Sequence, residues 1–348
     1  MGGFAIEEVE VDDPDRGEVQ VAIRASGLCH TDVSMLGDVG RVILGHEGAG
    51  VVSAIGAGVT SVQVGDPVIL NWARSCRECE MCVAGLTNLC RRQIPVHEGA
   101  FRPKSTGEPI GAFFGLGTMS TLTLVHERAV TPLRVEMPWP SACLLGCCVM
   151  TGFGSVINVA KPEPGASVAV IGTGAVGLCA VQGARYAGAA KIIAVDVNDA
   201  KLEAATSFGA THTILVQPGD DDLRYAAALV VEMTAGGVDL AFESTAVPRL
   251  LTAPLLFIRD GGTAIQISGS EEQITIDGSA FFWDKQYLTS LYGRCDPQRD
   301  FALLQRLYAD GQLEIDALVS RTYPLVELRQ AIDDLLDGKN VKAVLLPE

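Results

Sequence analysis

Basic residues are what this chain is short of. It carries 26 lysines and arginines against 42 aspartates and glutamates, for a net charge of −16 and no basic block. A nucleic-acid surface needs a basic face to displace counterions from phosphates, so no nucleic-acid partner is expected. No uninterrupted apolar run of about 18 residues occurs, and so no membrane span or membrane partner is expected. The opening segment, MGGFAIEEVEVDD, is acidic where a secretory leader carries a basic stretch and then an apolar one. A cytoplasmic location is the expectation. Internal repeats and low-complexity tracts are lacking as well. What remains is 48 % hydrophobic and 20 % charged over 348 residues, a globular composition with length enough for two domains.

In a reducing compartment the ten cysteines point to metal binding rather than to disulfides. Four of them form the sharpest local pattern, Cys76-x2-Cys79-x2-Cys82-x7-Cys90. Thiolates this close in sequence can wrap one tetrahedral zinc as a closed structural site. The residues between them, Arg77, Glu78 and Glu80, suit a lobe that faces solvent.

A second pattern begins at an apolar strand, Val168 to Ile171. It runs through Gly172-x-Gly174-x-x-Gly177 into a helix-forming stretch, and a second apolar strand ends at Asp196. Strand, glycine turn, helix, strand and acid in that order are the dinucleotide-binding arrangement. Gly172 makes the tight turn, Gly174 admits the pyrophosphate to the backbone, and Gly177 lets the helix pack on the sheet. Ala175 and Val176 open that helix, whose N-terminal N–H groups and dipole face the phosphates. Asp196 suits a ribose 2′-hydroxyl and repels a 2′-phosphate, so NAD is favoured over NADP.

Residues 7–11 and 18–25 read as strands of a mixed sheet, and the glycine-punctuated run 51–70 as part of a small β domain. Residues 91–117 read as a long surface excursion, with strand returning at 119–130. Residues 141–160 are helical in pattern. Strands at 213–216, 238–243 and 263–267 alternate with helical runs, the signature of a doubly wound parallel sheet. Helical patterns at 297–310 and 325–336 precede a short strand, VKAVLL, and this tail is expected to return to the first domain.

GLCHTD, LGHEGAG, the four-cysteine lobe, GC-x3-TGFG and the GxGxxG–Asp unit occur in one order. Together they resemble the zinc-dependent medium-chain alcohol dehydrogenases over essentially the whole chain. The resemblance implies an α/β fold: a doubly wound Rossmann sheet at 149–291, plus a discontinuous GroES-like, mostly β catalytic domain at 1–148 and 292–348. It implies two zinc ions per chain, NAD as cofactor, and a homodimer or homotetramer acting on a small-molecule alcohol or aldehyde. It places Cys29, His46 and Cys147 as ligands of a catalytic zinc, with Asp32 orienting His46 and Glu47 close behind the metal. Thr31 matches the hydroxyl that starts a proton relay. Lys201 matches a ribose contact, and Thr151, His30 and Lys342 fall at cofactor-side positions, His30 and Lys342 toward the phosphates. Trp72 and Met119 fall where the family lines its substrate pocket.

Departures from the pattern carry expectations of their own. Ser34 stands where many relatives place the relay histidine, and a serine is no base near neutral pH, so the relay ends in water or in another group. His30 stands where arginine is frequent, which weakens a phosphate contact and makes it pH-dependent. The segment between Cys29 and His46 is short, which opens the pocket to bulky substrates. Little sequence precedes FAIEEVEV, and an incomplete sheet edge is expected there. Cys143, Cys179 and Cys295 read as small core residues, and His97, His126 and His212 lack motif partners. The activity implied is reversible oxidation of a primary or secondary alcohol to an aldehyde or ketone. A nicotinoprotein with permanently held NAD and a glutathione-linked formaldehyde dehydrogenase stand as alternatives.

Overall fold

Strands buried on both faces need apolar residues at nearly every position, and three segments have them: SVAVI at Ser167–Ile171, KIIAVD at Lys191–Asp196 and VDLAFE at Val238–Glu243. In the computed structural model, which describes residues 3–36, 40–270 and 272–347, they form the centre of a six-stranded, wholly parallel sheet. The strand order is His212–Leu215, Lys191–Asp196, Ser167–Ile171, Val238–Glu243, Ile258–Gln266, Gln286–Thr289. The chain winds outward in one direction from Ser167–Ile171 and then in the other from Val238–Glu243. In such a sheet the ligand crevice lies outside the carboxyl ends of the strands where the direction reverses. Helices Ala175–Tyr186, Asp199–Phe208 and Arg224–Thr234 cross over between strands. Asn198 caps the second by accepting the Lys201 N–H at 3.3 Å, and Gly209 ends it at φ 116°. These elements belong to a compact unit spanning Cys148–Cys295.

A second compact unit comprises Met1–Cys147 and Asp296–Glu348. Its seven-stranded sheet is built around Glu18–Gly27, which pairs antiparallel with Glu47–Ile55, with Leu122–His126 and, at its far end, with Lys342–Leu346. Pro67–Leu70 and Val130–Pro132 extend one side, and Val319–Pro324 pairs parallel with Lys342–Leu346. The register sets up the chemistry. Gly27 lies opposite Glu47 and Ser26 opposite Leu345, so the residues just after one strand and just before the next meet at one sheet end. Val9–Val11 leaves this sheet and pairs instead with Phe101–Pro103.

Residues 91–117 are more than a surface excursion. Phe101, Phe113 and Leu116 are buried, and Gly111–Ala112 pairs with Val42–Ile43. Their glycine, proline and charge content disguises short anchors that dip repeatedly into the core. The helical run Trp139–Ala160 has the length and apolarity of a membrane span, at mean hydropathy 1.8, yet 72 % of that window is buried inside the protein. It is a core helix.

His97, in that same excursion, is fastened to the central strand. Its backbone N–H donates to Glu18 Oε1 at 2.6 Å, its Nδ1 lies 2.8 Å from Glu18 Oε2, and its Nε2 lies 3.3 Å from Asp12. Asp15 stands 3.8 Å off, and Arg102 shares Asp12. The hydrogen bond to Glu18, then that to Asp12, raise the imidazole pKa against partial burial. A raised pKa stabilises the fold below the unfolded value of about 6.5, and this contribution is lost as pH rises through the folded value. Discounted for solvent screening, it is worth about 1 kcal/mol. The Tm is therefore expected to fall by about 2–4 °C through this window, and less in His97→Gln. A pH series of thermal melts on both proteins checks it; equal slopes would remove His97 as the cause.

Candidate functional site

Cys29 follows the end of strand Glu18–Gly27, and His46 immediately precedes strand Glu47–Ile55. The Gly27–Glu47 pairing brings them side by side, and a side chain at Gly27 would overlap the Glu47 carboxylate. Cys147 arrives from the core helix, in a turn wound as π-helix at Leu145–Val149. Such widened turns recur at functional positions because they re-aim a side chain out of the α-helical row. The close approach of Gly146 to the Leu70 carbonyl fixes the depth of that turn. As a result Cys29, His46, Glu47 and Cys147 place one ligand atom each within 4.8 Å of one another.

The imidazole is oriented from behind. Asp32 Oδ1 lies 2.9 Å from His46 Nδ1, and Oδ2 accepts the Cys29 N–H at 3.0 Å. One carboxylate thus fixes two of the candidate ligands and leaves Nε2 as the free ring nitrogen. Burial pushes the His46 pKa down, but the charge and hydrogen bond of Asp32, with help from Cys29, carry it well above its ordinary value. The Cys29 thiol is held well below the usual range, first by Cys147, while Cys147 is pushed well up by Cys29 and by burial. Behind them Glu47 is fully buried, and Lys342 Nζ donates to its Oε1 at 2.7 Å and to the Leu28 carbonyl at 3.0 Å. Glu47 Oε2 has no hydrogen-bond partner among the described residues. Two thiols and one imidazole fit a zinc ion with its fourth position open to an exchangeable ligand, and the orphaned Glu47 oxygen stands beside that ligand set.

The second cluster is closed. Cys76, Cys79, Cys82 and Cys90 are all buried and their sulfurs lie within 4.8 Å of one another. Cys76 to Cys82 and Cys79 to Cys90 are both 3.9 Å. A tetrahedron with Zn–S bonds of about 2.3 Å has edges of about 3.8 Å, which these two separations match. The N–H groups of Glu78 and Cys79 point at Cys76 Sγ from 3.4 and 3.2 Å, and backbone donors hold Cys79 down at about 6. Burial pushes Cys82 up to about 12. Arg77, Glu78 and Glu80 face solvent as the spacing predicts. Cys143, Cys148, Cys179 and Cys295 are buried outside both clusters.

In the parallel-sheet unit the three glycines differ by what surrounds them. Gly172 sits at φ 85°, and a β-carbon there would come within 2.7 Å of Thr245 Cγ2. A side chain at Gly177 would overlap the Gly172 carbonyl oxygen. Gly174, which starts helix Ala175–Tyr186, would meet nothing within 4 Å and has no side-chain cap. Two crowded glycines and one open one, at a helix N-terminus with uncapped N–H groups, fit a pyrophosphate. Asp196 ends its strand with Oδ2 accepting the Thr173 N–H at 2.7 Å and its hydroxyl at 3.0 Å, and Oδ1 accepting the Asn198 N–H at 3.0 Å. The carboxylate is thereby aimed, with lone pairs remaining for a ribose hydroxyl.

This geometry has close relatives. Residues 15–135 match the alcohol dehydrogenase GroES-like domain and residues 175–309 the zinc-binding dehydrogenase domain. Alcohol dehydrogenase 2 of Zea mays is 34 % identical over 99 % of this chain and 94 % of its own length. The chain belongs to the zinc-dependent medium-chain alcohol dehydrogenase family. Among solved structures, an alcohol dehydrogenase zinc-binding domain protein from Burkholderia ambifaria superposes with a TM-score of 0.90 at 33 % identity, covering 99 % of this chain and 96 % of that one. The benzyl alcohol dehydrogenase of Acinetobacter calcoaceticus gives 0.87 at 31 % identity, covering 98 % and 94 %. The fold is the α/β arrangement expected, and neither the nicotinoprotein nor the glutathione-linked alternative is favoured by these relatives.

The remaining positions named by the family pattern are scattered in their settings. Thr31 Oγ1 lies 3.6 Å from Cys29 Sγ, which donates to it, whereas Ser34 is exposed and donates to the Thr31 carbonyl at 3.2 Å. His30 is exposed. Residues 37–39, in the short segment before His46, lie outside the described residues. Thr151 is half-buried, and its carbonyl accepts the Ser155 hydroxyl at 2.5 Å. Ala175 and Val176 open the helix after the glycine turn, and Lys201 lies half-buried in helix Asp199–Phe208. Lys342, placed by sequence toward the phosphates, is buried against Glu47. Met119 packs in a core cluster with Leu28 and Tyr323. Trp72 is buried and meets Phe114 at a tilt, with ring centroids 5.3 Å apart. Phe113 and Phe114, which border His46, escape the sequence reading because they sit in the excursion taken for surface. The signal available was the Phe-Phe doublet itself, in a segment otherwise poor in aromatics.

Proposed function

We propose that Cys29, His46 and Cys147 hold the catalytic zinc and that Cys76, Cys79, Cys82 and Cys90 hold the structural one. This alcohol dehydrogenase oxidises a primary or secondary alcohol reversibly to an aldehyde or ketone, with hydride passing from the carbinol carbon to NAD and one proton released. The convergence of two thiols, an imidazole and the Asp32 carboxylate supports the reading most directly. Zinc in such a site supplies Lewis acidity toward a hydroxyl, and NAD supplies the hydride acceptor.

The chain's own residues do the rest. Asp32 holds the imidazole in one tautomer and one orientation. Thr31, beside Cys29, would accept the substrate hydroxyl proton as it releases its own, and because Ser34 is no base near neutral pH the released proton passes to solvent. Glu47 puts a negative charge behind the ligand set, and Lys342 balances it. Gly172, Gly174, Ala175, Val176 and Gly177 receive the pyrophosphate, Asp196 and Lys201 the ribose, with Thr151 and His30 as further cofactor contacts. The burial of Lys342 on Glu47 removes it from the phosphate side. Trp72 and Met119 are assigned to the substrate pocket. The thiol-rich sites suit a reducing, cytoplasmic setting.

The test is initial rate on benzyl alcohol, ethanol and 2-propanol with NAD or NADP, beside elemental zinc per chain. Benzyl alcohol is included because one solved relative is named for it. About two zinc ions per chain with NAD-preferring turnover are expected. One zinc or none in an undamaged preparation would overturn the metal assignment. Light scattering on the same sample reads the oligomeric state, with a homodimer or homotetramer expected.

A further inference from the structure

We propose that Phe114 is a specificity-determining residue that selects flat aromatic carbinols over aliphatic ones. The inference rests on alcohol oxidation at the Cys29–His46–Cys147 cluster and names the substrate class of that site.

The Phe114 ring centroid lies 5.2 Å from the His46 imidazole, 4.6 Å from Phe113 and 5.3 Å from Trp72. Phe113 in turn meets His46 edge-on at 5.8 Å. Four rings thus form one continuous aromatic surface that begins at a candidate metal ligand. His46, Phe113 and Trp72 are 1, 7 and 9 % exposed, whereas Phe114 is 38 % exposed. Phe114 is the one ring of the four left substantially uncovered, and its centroid stands 5.2 Å from the imidazole of a proposed metal ligand. A planar aryl group stacks on or edges against such a face and gains from the ring quadrupoles as well as from area. A flexible alkyl chain gains from area alone.

The backbone shows that this placement is imposed. Phe114 has φ 50° and ψ 18°, the left-handed region that non-glycine residues avoid. Leu116 and Gly117 N–H groups both donate to the Phe113 carbonyl, at 2.9 and 3.3 Å, which closes the turn. Gly115 and Gly117 follow in the same left-handed region. The Arg74 guanidinium packs so closely on Gly115 that a side chain there would overlap it, and Gln93 Oε1 holds Arg74 at 3.3 and 3.1 Å. A strained conformation fixed by its surroundings, with the ring left exposed next to the His46 imidazole, is consistent with a functional position.

Three variants, Phe114→Ala, Phe114→Leu and Phe114→Tyr, separate the ring from its bulk. The measurements are kcat/KM for benzyl alcohol and 1-butanol with NAD, zinc per chain, and thermal melting. The wild type is expected to prefer benzyl alcohol. Phe114→Ala and Phe114→Leu are expected to lose roughly tenfold or more on benzyl alcohol and less than about threefold on 1-butanol, with zinc unchanged. Phe114→Tyr keeps the preference. Retention of the preference by Phe114→Leu, or equal losses on both alcohols, overturns the inference. So does wild-type turnover of 1-butanol without benzyl alcohol, which leaves alcohol oxidation standing. No turnover of any alcohol with both zinc ions bound overturns the underlying reading and this inference with it.

Discussion

Replacing Cys147 with serine is expected to lower the zinc content from two ions per chain to one and to cut alcohol oxidation by about a thousandfold or more. Serine has nearly the shape of cysteine, so the π-helical turn at Leu145–Val149 keeps its packing and no cavity opens. Chemistry, not volume, is lost, because a neutral hydroxyl is a poor partner for zinc where a thiolate is a strong one. The neighbouring Cys148 cannot replace it: its side chain is buried and lies outside the ligand set. The four-cysteine lobe is built from a separate stretch, and its ion should stay. Lewis acidity is worth several kcal/mol to this reaction, and each 1.36 kcal/mol is tenfold in rate, which gives the size of the effect. Metal analysis, far-ultraviolet circular dichroism and initial rates on one preparation check it. Two zinc ions with full turnover would sink the ligand assignment.

The contrast between the two metal clusters shows what a sequence reveals unaided. The four sulfurs of the lobe are held together by 15 residues of local chain, so their spacing is nearly their geometry. Cys147 lies 101 residues beyond His46, and only the strand register and the π-helical turn bring the two together. Spacing could not supply that; resemblance to a family could. The parallel sheet was legible for a different reason, since burial on both faces forces apolar runs bounded by turn glycines. Phe114 was hidden because its segment has the composition of a loop while its short anchors are buried. Lys342 was hidden because a lysine beginning a C-terminal strand looks like a surface residue. Nothing in VKAVLL indicates that its ammonium is buried on Glu47, whose partner strand lies near the opposite end of the chain.

That burial makes Lys342→Met the substitution with the largest expected effect on stability. Side-chain exposure is 5 % for Lys342 and 0 % for Glu47, so the 2.7 Å contact is screened by almost no water. Burial already pushes the Glu47 carboxyl up, and the Lys342 charge is the chief effect opposing it. With the lysine gone, Glu47 loses the counter-charge and the hydrogen bond on Oε1 and is left with the metal cluster as its neighbouring positive group, and its second oxygen is orphaned already. Breaking one side of a buried pair costs about 3–5 kcal/mol, most of it from the stranded partner. On a unit of this size that lowers the Tm by roughly 6–20 °C. The double variant Lys342→Met/Glu47→Gln removes both charges, and it should regain much of the loss because a neutral amide tolerates burial better than an unpaired carboxylate. Thermal melts of the wild type, both single variants and the double, with zinc measured in each, test the coupling. Losses that simply add would mean that the pair stabilises nothing beyond its packing, and that the charge behind the metal cluster is balanced elsewhere.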